Sequence, residues 1–135
     1  MTTRTLVVDA SVLVAALTDS GSTGEWALES IATHMLHAPE LGLIEATNIL
    51  RRFESAKLLS TLDACQARDQ LHDLPVTWMP YEPFAERVWE LRSNVTAYDA
   101  IYIAVAEALE APLATLDEKL ANAPGSKCEF RLPGA

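Results

Sequence analysis

The sequence predicts an α/β fold with a mostly parallel central sheet of four to five strands flanked by helices. Short apolar runs bounded by breakers alternate with longer stretches of helical periodicity. Runs such as Leu6 to Val8 are continuously apolar, which is typical of strands covered on both faces. The length of 135 residues, half of them apolar, suits one compact domain, so we expect a single domain over residues 1–135.

The strand signals are short and are separated by helical stretches. Strands are expected over residues 5–8, 35–38, 76–79, 113–115 and, on a weaker pattern, 128–130. Because ligands in such folds bind beyond the carboxyl ends of the strands, polar residues that follow these runs are candidates for a site.

Helical periodicity accounts for most of the remaining chain. Helices are expected over residues 40–56, 60–74, 83–93, 97–109 and 118–123. The first places Leu43, Ala46, Thr47, Leu50 and Phe53 on one stripe, with Pro39 suited to its first turn. Helix 97–109 is apolar on three sides, which predicts a central, buried helix. The segments 21–24 and 123–127 are expected to be loops.

The charge balance restricts the classes of partner. A net charge of -9 argues against a broad basic surface that coats nucleic acid. A nucleic-acid substrate would need bound cations and local basic residues such as Arg51, Arg52 and Lys57. A basic protein partner would be attracted more readily.

The lack of membrane or export signals and the two isolated cysteines indicate an ordinary reducing compartment. No apolar run reaches the roughly 18 residues of a membrane span, and the first residues lack a signal-peptide layout, so we expect a cytoplasmic protein with no membrane partner. Cys65 and Cys128 form no metal-binding spacing and are interpreted as ordinary thiols.

Four carboxylates occupy positions that the fold would bring to one sheet edge. Asp9 ends the first strand, Glu45 lies in helix 40–56, Asp99 opens helix 97–109, and Asp117 follows the fourth strand. Four acids at one edge repel each other unless a cation compensates, and hard divalent ions prefer oxygen ligands. The pattern therefore predicts a metal site for a hard divalent ion such as Mg²⁺.

Each of these residues also has a simpler interpretation. Asp9 and Asp117 can cap the helices that follow them, and Asp99 stands at capping-box spacing from Thr96. Glu45 is harder to explain this way, because apolar residues flank it and Asn48 shares its face. As supporting residues, Ser11 and Thr115 would add hydroxyls, although a first-turn serine and a strand threonine need no such role.

Other residues that invite functional interpretations give weaker signals. His34 and His37 have a spacing of three, but a helix-to-strand change separates them and no third zinc ligand stands near. Hydrolase, NTPase and dinucleotide-binding motifs are absent. Three tryptophans are expected in or against the core, with an interaction groove as the alternative for the first of them (Trp26, Trp78, Trp89).

Four segments in this order resemble the PIN domain: VVDASVLV, PELGLIEATNILRR, TAYDAIYIAVAEAL and PLATLDEKL. The nearest likeness is to the toxin ribonucleases of bacterial VapBC toxin–antitoxin pairs, and it spans residues 6–123. The acidic quartet of that family transfers onto Asp9, Glu45, Asp99 and Asp117. The resemblance implies a Mg²⁺- or Mn²⁺-dependent endoribonuclease that cleaves an RNA substrate with a metal-activated water, forms a homodimer and is silenced by a VapB-like antitoxin.

Two other functions remain open from the residues. A phosphoryl-accepting α/β domain also places an Asp after its first strand, but Ser11 stands where a second acid would be expected. A catalytically silent binding module would keep the fold and tolerate substitution of the four acids. For the homodimer, apolar positions outside the core stripe are available at Leu58, Leu59 and Leu62.

Overall fold

The strands form one five-stranded parallel sheet in the computed structural model, which describes residues 4–134. They are β1 (Thr5–Val8), β2 (Met35–Pro39), β3 (Val76–Met79), β4 (Leu113–Ala114) and β5 (Phe130–Arg131). Their order is β3-β2-β1-β4-β5, and each neighbouring pair is parallel. The carboxyl ends therefore meet at one edge, with β1 at the centre.

Helices cover both faces of this sheet. They are α1 (Ala10–Thr18), α2 (Ser22–Ala32), α3 (Leu41–Ser55), α4 (Thr61–Asp73), α5 (Ala85–Glu90), α6 (Ala97–Leu109) and α7 (Glu118–Ala121), with a 3₁₀ turn (Glu82–Phe84) before α5. None of the helices in the described part of the chain is long and apolar enough to cross a bilayer. The α/β prediction with its flanked, parallel sheet is confirmed.

Alternation along β1 divides the interior into two cores. Leu6 and Val8 point to one face and pack with helices α1 to α4, whereas Val7 points to the other and packs with α5 and α6. Seven consecutive residues of α6, from Ala100 to Ala106, are buried. The prediction that α6 is a central helix is therefore confirmed, and its fixed position orients its first turn toward the sheet edge.

Several predicted boundaries are wrong in detail. β4 ends at Ala114, so Thr115 lies just beyond it, and β5 begins two residues later than expected. Pro39 closes β2 and does not start a helix, because its ring suits an extended strand end as well as a first helical turn. The helix expected over 83–93 is shorter, since a 3₁₀ turn precedes it and bends the chain before Ala85.

Three further expectations, one about a loop and two about burial, are also wrong. Residues 22–24 of the expected loop 21–24 form the first turn of α2, because Gly21 serves as its N-cap. Trp89 is 66% exposed, since it lies on the outer side of α5. Thr47 is exposed and binds the carbonyl of Leu43 on its own helix, so it does not belong to the apolar stripe.

An ion pair fixes the segment after α7 against the rest of the fold. Arg87 on α5 binds Glu107 on α6 through two hydrogen bonds of 2.7 and 3.1 Å. The same guanidinium donates to the carbonyl of Gly125, and Glu107 accepts from the backbone of Lys127. Although burial opposes it, the bond from Arg87 leaves the pKa of Glu107 lowered, so the carboxylate stays ionised and holds the segment.

Candidate active site

A cavity of about 290 Å³ opens at the carboxyl edge of the sheet. It is lined by the four sequence-predicted acids, two of the predicted supporting residues and several further side chains: Asp9, Glu45, Asp99, Asp117, Ser11, Asn48, Arg52 and Tyr102. The third supporting residue, Thr115, is buried beneath it and bonds to Asp9. The structure thus brings together what the sequence distributes over more than 100 residues.

Asp9 is both a helix cap and the most deeply buried of the acids. Its Oδ1 accepts hydrogen bonds from the backbone of Ser11 (2.9 Å) and Val12 (3.3 Å) and from the Ser11 hydroxyl. Its Oδ2 accepts from the Thr115 hydroxyl. Burial raises the pKa of Asp9, and these hydrogen bonds offset part of that effect. The capping interpretation of Asp9 is therefore correct, and it coexists with a place in the cavity.

Thr115 connects two of the acids. Its hydroxyl donates to Asp9 and accepts from the backbone N–H of Asp117 at 3.0 Å. Asp117 in turn caps α7 by accepting from the backbone of Lys119 at 2.9 Å and Leu120 at 3.3 Å. This chain of bonds fixes the loop after β4 relative to the end of β1, so Thr115 is a positioning residue.

Glu45 is held by a tyrosine that the sequence analysis did not single out. The hydroxyl of Tyr102 donates to Glu45 Oε1 at 2.6 Å. Gly42 permits this contact, because a Cβ there would stand 3.0 Å from the Tyr102 oxygen and 3.3 Å from Trp78. Burial and the bond to Glu45 raise the pKa of Tyr102, so it remains a donor at any physiological pH. The sequence does carry a signal for Tyr102: it follows Asp99 by three residues, so both side chains lie on one face of the helix.

Asp99 has no structural partner for its carboxylate among the described residues. The Thr96 hydroxyl accepts from its backbone N–H at 3.3 Å, as the capping-box spacing predicts, but the carboxylate faces the cavity. Burial raises the pKa of Asp99, and repulsion from Asp117 and Asp9 raises it further. This side chain therefore contributes charge to the cavity without contributing a bond to the fold.

The acids act on each other electrostatically. Burial raises the pKa of Glu45; the bond from Tyr102 offsets part of this, and repulsion from Asp9 and Asp99 adds to it. No Lys or Arg forms a salt bridge with any of the four carboxylates within residues 4–134. Such a group of like charges is stabilised when a cation enters the cavity.

The donor set fits a hard divalent ion. The candidate ligands are all carboxylate oxygens, with hydroxyls close by, and no histidine or cysteine lines the cavity. Within the described residues, no group of three or more acidic, histidine or cysteine side chains stands close enough together to hold a metal ion by itself. Mg²⁺ keeps several waters and takes only one or two carboxylates directly, so it does not require such a group. The residues present therefore fit Mg²⁺ or the similar Mn²⁺.

The histidines lie away from this cavity. His34 bonds to the carbonyl of Ser30 at 2.7 Å and receives a bond from Arg131 at 3.2 Å, while His37 Nδ1 is buried without a hydrogen-bond partner. The contacts of His34 support its structural interpretation over the zinc alternative.

Replacing Tyr102 with Phe tests the one bond that holds Glu45. Tyr102→Phe removes only the hydroxyl, and we expect kcat/KM for the reaction proposed below to fall about tenfold, because a hydrogen bond to a charged group contributes about 1.5–3 kcal/mol. The melting temperature should also fall by several degrees, because the same bond contributes to folding, although the ring remains packed. Tyr98→Phe, on the exposed side of the same helix, is the matched control. Equal activity of both variants would show that Glu45 needs no support.

Comparison with known proteins agrees with this architecture. The PIN domain family matches residues 6–126. A VapC ribonuclease of Mycobacterium bovis is 39% identical over 123 residues, covering 91% of this chain and 94% of the relative. Ribonuclease VapC1 of Mycobacterium tuberculosis is 39% identical over 127 residues, covering 93% of this chain and 96% of the relative.

Solved structures show the same fold at low sequence identity. VapBC2 from Rickettsia felis, bound to a DNA fragment from its promoter, aligns with a TM-score of 0.67 at 12% identity, covering 95% of this chain and 98% of that one. VapC20 of Mycobacterium tuberculosis, a toxin that cleaves the sarcin-ricin loop, gives 0.66 at 16% identity, with 86% and 92% covered. On the family match and the two relatives at 39% identity, the chain belongs to the PIN domain family, as a homologue of the VapC ribonucleases.

Proposed function

We propose that this protein is a Mg²⁺- or Mn²⁺-dependent endoribonuclease that acts as the toxin of a type II toxin–antitoxin pair. The observation that carries the proposal is the cavity lined by Asp9, Glu45, Asp99 and Asp117, four carboxylates that form no salt bridge with a Lys or Arg within residues 4–134. The relatives named VapC ribonucleases supply the reaction class.

The roles of the residues follow from their contacts. Asp9, Asp99 and Asp117, with Glu45 opposite, would hold the cation, which lowers the pKa of water and offsets charge on a phosphate. Tyr102 fixes Glu45, and Thr115 with Ser11 fixes Asp9. The cavity contains no histidine to act as a general base, so the carboxylates are left to orient the attacking water.

Arg52 supplies a positive charge at the rim. It lies one helical turn after Asn48 on α3, and both side chains line the cavity. An arginine there can bind a phosphate oxygen of the substrate, which the four acids alone would repel. Of the basic residues expected to meet nucleic acid, Arg52 is thus the one placed at the acids.

Removal of the metal tests the reaction directly. Purified protein with Mg²⁺ or Mn²⁺ should cleave single-stranded RNA, and excess EDTA should reduce the rate at least about a hundredfold, because no side chain replaces the charge of the ion. The measurement is the appearance of RNA fragments on a gel, with restoration by added metal as the control. Full cleavage in EDTA would contradict a metal-dependent nuclease.

The antitoxin part of the proposal rests on charge and on the neighbouring structures. The chain carries a net charge of -9, which favours a basic partner segment over the acidic cavity. VapBC2 is one of the similar structures and is a toxin–antitoxin complex. Expression of the protein alone should inhibit bacterial growth, and co-expression of a VapB-like antitoxin should relieve the inhibition. Harmless accumulation of folded protein would contradict a toxin.

The proposed homodimer rests on exposed apolar side chains. Leu58 and Leu62, at the junction of α3 and α4, are 70% and 67% exposed, and Leu59 beside them is partly buried. Apolar area of this kind on a surface commonly marks an interface. Light scattering should give twice the mass of 14.7 kDa, and Leu62→Glu should halve it. A monomer at micromolar concentration would count against the dimer.

A catalytically silent binding module is the second candidate, because Asp9 and Asp117 do cap helices. Capping does not explain Asp99, whose carboxylate makes no bond within the described residues. Substitution of Asp99 therefore separates the two functions. The phosphoryl-accepting alternative is weaker, since Ser11, whose hydroxyl donates to Asp9, stands where a second acid would be expected.

A further inference from the structure

A second cavity adjoins the acidic one and has a different character. It encloses about 510 Å³ between the loop of residues 92–96 and α7. Asp99 and Leu120 line both cavities, so the two cavities are neighbours. Most of the other side chains that line the second cavity are polar or basic: Arg92, Ser93, Asn94, Thr96, Lys119 and Asn122.

Two cations in this second cavity have no acidic partner. Within residues 4–134, neither Arg92 nor Lys119 forms a salt bridge, although the chain contains 19 acidic and only 10 basic residues. Arg51 and Lys57 also form no salt bridge within residues 4–134, so the lack of a partner does not by itself mark a site. What distinguishes Arg92 and Lys119 is that both line one cavity, where two positive charges together favour an anion.

Arg92 is held in place by a tryptophan. Its Nη1 donates to the carbonyl of Trp89 at 2.8 Å, and its guanidinium lies 4.3 Å from the centroid of the indole ring. These contacts hold the guanidinium without neutralising it, so its remaining N–H groups stay available to a phosphate. The exposed indole ring also offers a surface on which a nucleobase can stack.

The wall of the cavity is fixed before any ligand arrives. Gly125 adopts a φ of 84°, a left-handed conformation that favours glycine, and this turn brings the chain against Asn94. Arg87 holds the carbonyl of Gly125 at 2.9 Å. A preformed wall lowers the entropic cost of binding.

We propose that this second cavity binds the single-stranded RNA that flanks the cleaved bond. Arg92 and Lys119 hold backbone phosphates, and Trp89 stacks a base. The inference rests on the proposed nuclease function, because it takes the acidic cavity as the place where the strand is cut. A basic antitoxin segment is repelled by both cations, so the charge favours RNA over that partner.

The test compares the Arg92→Ala/Lys119→Ala double variant with wild type. Affinity for a fluorescently labelled single-stranded RNA of about 10 nucleotides, measured by anisotropy in EDTA, should fall at least about tenfold. The slope of log affinity against log salt should decrease by about 1.4, or about 0.7 for each lost phosphate contact. In Mg²⁺, KM should rise with kcat nearly unchanged. Both side chains are exposed, so the fold should be retained.

Two further variants sharpen the interpretation. Arg68→Ala removes an exposed arginine from α4, outside both cavities, and should change neither affinity nor salt slope. Trp89→Ala should weaken RNA binding about fivefold or more, whereas Trp89→Phe, which keeps an aromatic face, should retain most of the affinity.

The outcomes separate this inference from the nuclease itself. If wild type binds RNA through these cations but never cleaves it, the proposed function fails and the binding site stands. If wild type cleaves RNA and the double variant matches it in affinity, KM and salt slope, the binding site is wrong while the nuclease stands. A double variant that handles RNA normally but loses a protein partner would also overturn the site.

Discussion

Asp99→Asn is expected to reduce the kcat of RNA cleavage at saturating Mg²⁺ or Mn²⁺ by at least a factor of about 10² to 10³. The substitution removes one negative charge from the acidic cavity and leaves a neutral amide oxygen, which binds a hard cation more weakly than a carboxylate does. Asp99 contributes least to the fold among the four acids, because its carboxylate accepts no hydrogen bond from the described residues. Activity should therefore be lost without a loss of stability, since removing a charge from this cavity relieves repulsion.

The chain provides a closely matched control at Asp63. Ser60 caps α4 by accepting from the backbone of Asp63 at 3.0 Å, just as Thr96 caps α6 at Asp99. Both acids occupy the same position in a first turn, but Asp63 is exposed and lies outside the acidic cavity. Asp63→Asn should leave cleavage and melting temperature unchanged. If Asp99→Asn were as active as Asp63→Asn, the acidic cavity would not be catalytic and a binding module would be favoured.

The sequence predicts which acids lie close together where their proximity depends on the order of the strands. Asp9 and Asp117 follow apolar strands, and parallel strands bring their ends to one edge, so their proximity follows from topology. Thr115 was assigned to the strand, but its contact with Asp9 depends only on β1 and β4 being neighbours. Positions fixed by strand order can be inferred without coordinates.

Features that depend on how distant surfaces meet were not predicted. Nothing in the apolar pattern of helix 97–109 singles out Tyr102, and its role appears only because Gly42 lets α3 approach it. Trp89 was expected in or against the core, but the 3₁₀ turn before α5 changes which residues face inward. The length and packing of such short elements are set by tertiary contacts that hydrophobic periodicity does not encode.

Asp9→Asn is expected to raise the melting temperature of the metal-free protein and to reduce the further gain on adding metal. The amide oxygen of Asn can still accept from the backbone of Ser11 and Val12, and Asn caps helices about as well as Asp, within roughly 0.5 kcal/mol. Capping alone therefore predicts almost no change. Burial, however, raises the pKa of Asp9, so the ionised carboxylate costs folding free energy that a neutral amide does not.

The sign of the pH dependence follows from the raised pKa. Between the unfolded and folded pKa values of Asp9 the native state binds more protons, so wild type without metal loses stability as the pH rises through that range. The variant lacks this loss, and the two proteins should differ most above the folded pKa. The difference should nearly vanish below the ordinary value of 3.8, where Asp9 is protonated in both states.

Metal should reverse the order of the two proteins. An ion present at a hundred times its Kd stabilises the folded state by about 2.7 kcal/mol, or roughly 8 °C for a domain of this size. Wild type should gain about this much with Mg²⁺ or Mn²⁺, and Asp9→Asn should gain clearly less because one ligand is lost. Asp19→Asn serves as the control, since Asp19 also accepts from a backbone N–H, that of Gly21 at 2.7 Å, but lies outside the acidic cavity.

Melting curves of the three proteins, each with EDTA and with metal, decide the matter. Equal metal gains in wild type and Asp9→Asn would leave Asp9 as a helix cap and restrict the metal site to the other three acids. A gain that is lost in Asp9→Asn but kept in Asp19→Asn would assign the metal to the buried carboxylate. That carboxylate accepts hydrogen bonds from Ser11, Val12 and Thr115. Its orientation is therefore fixed by the fold before an ion binds.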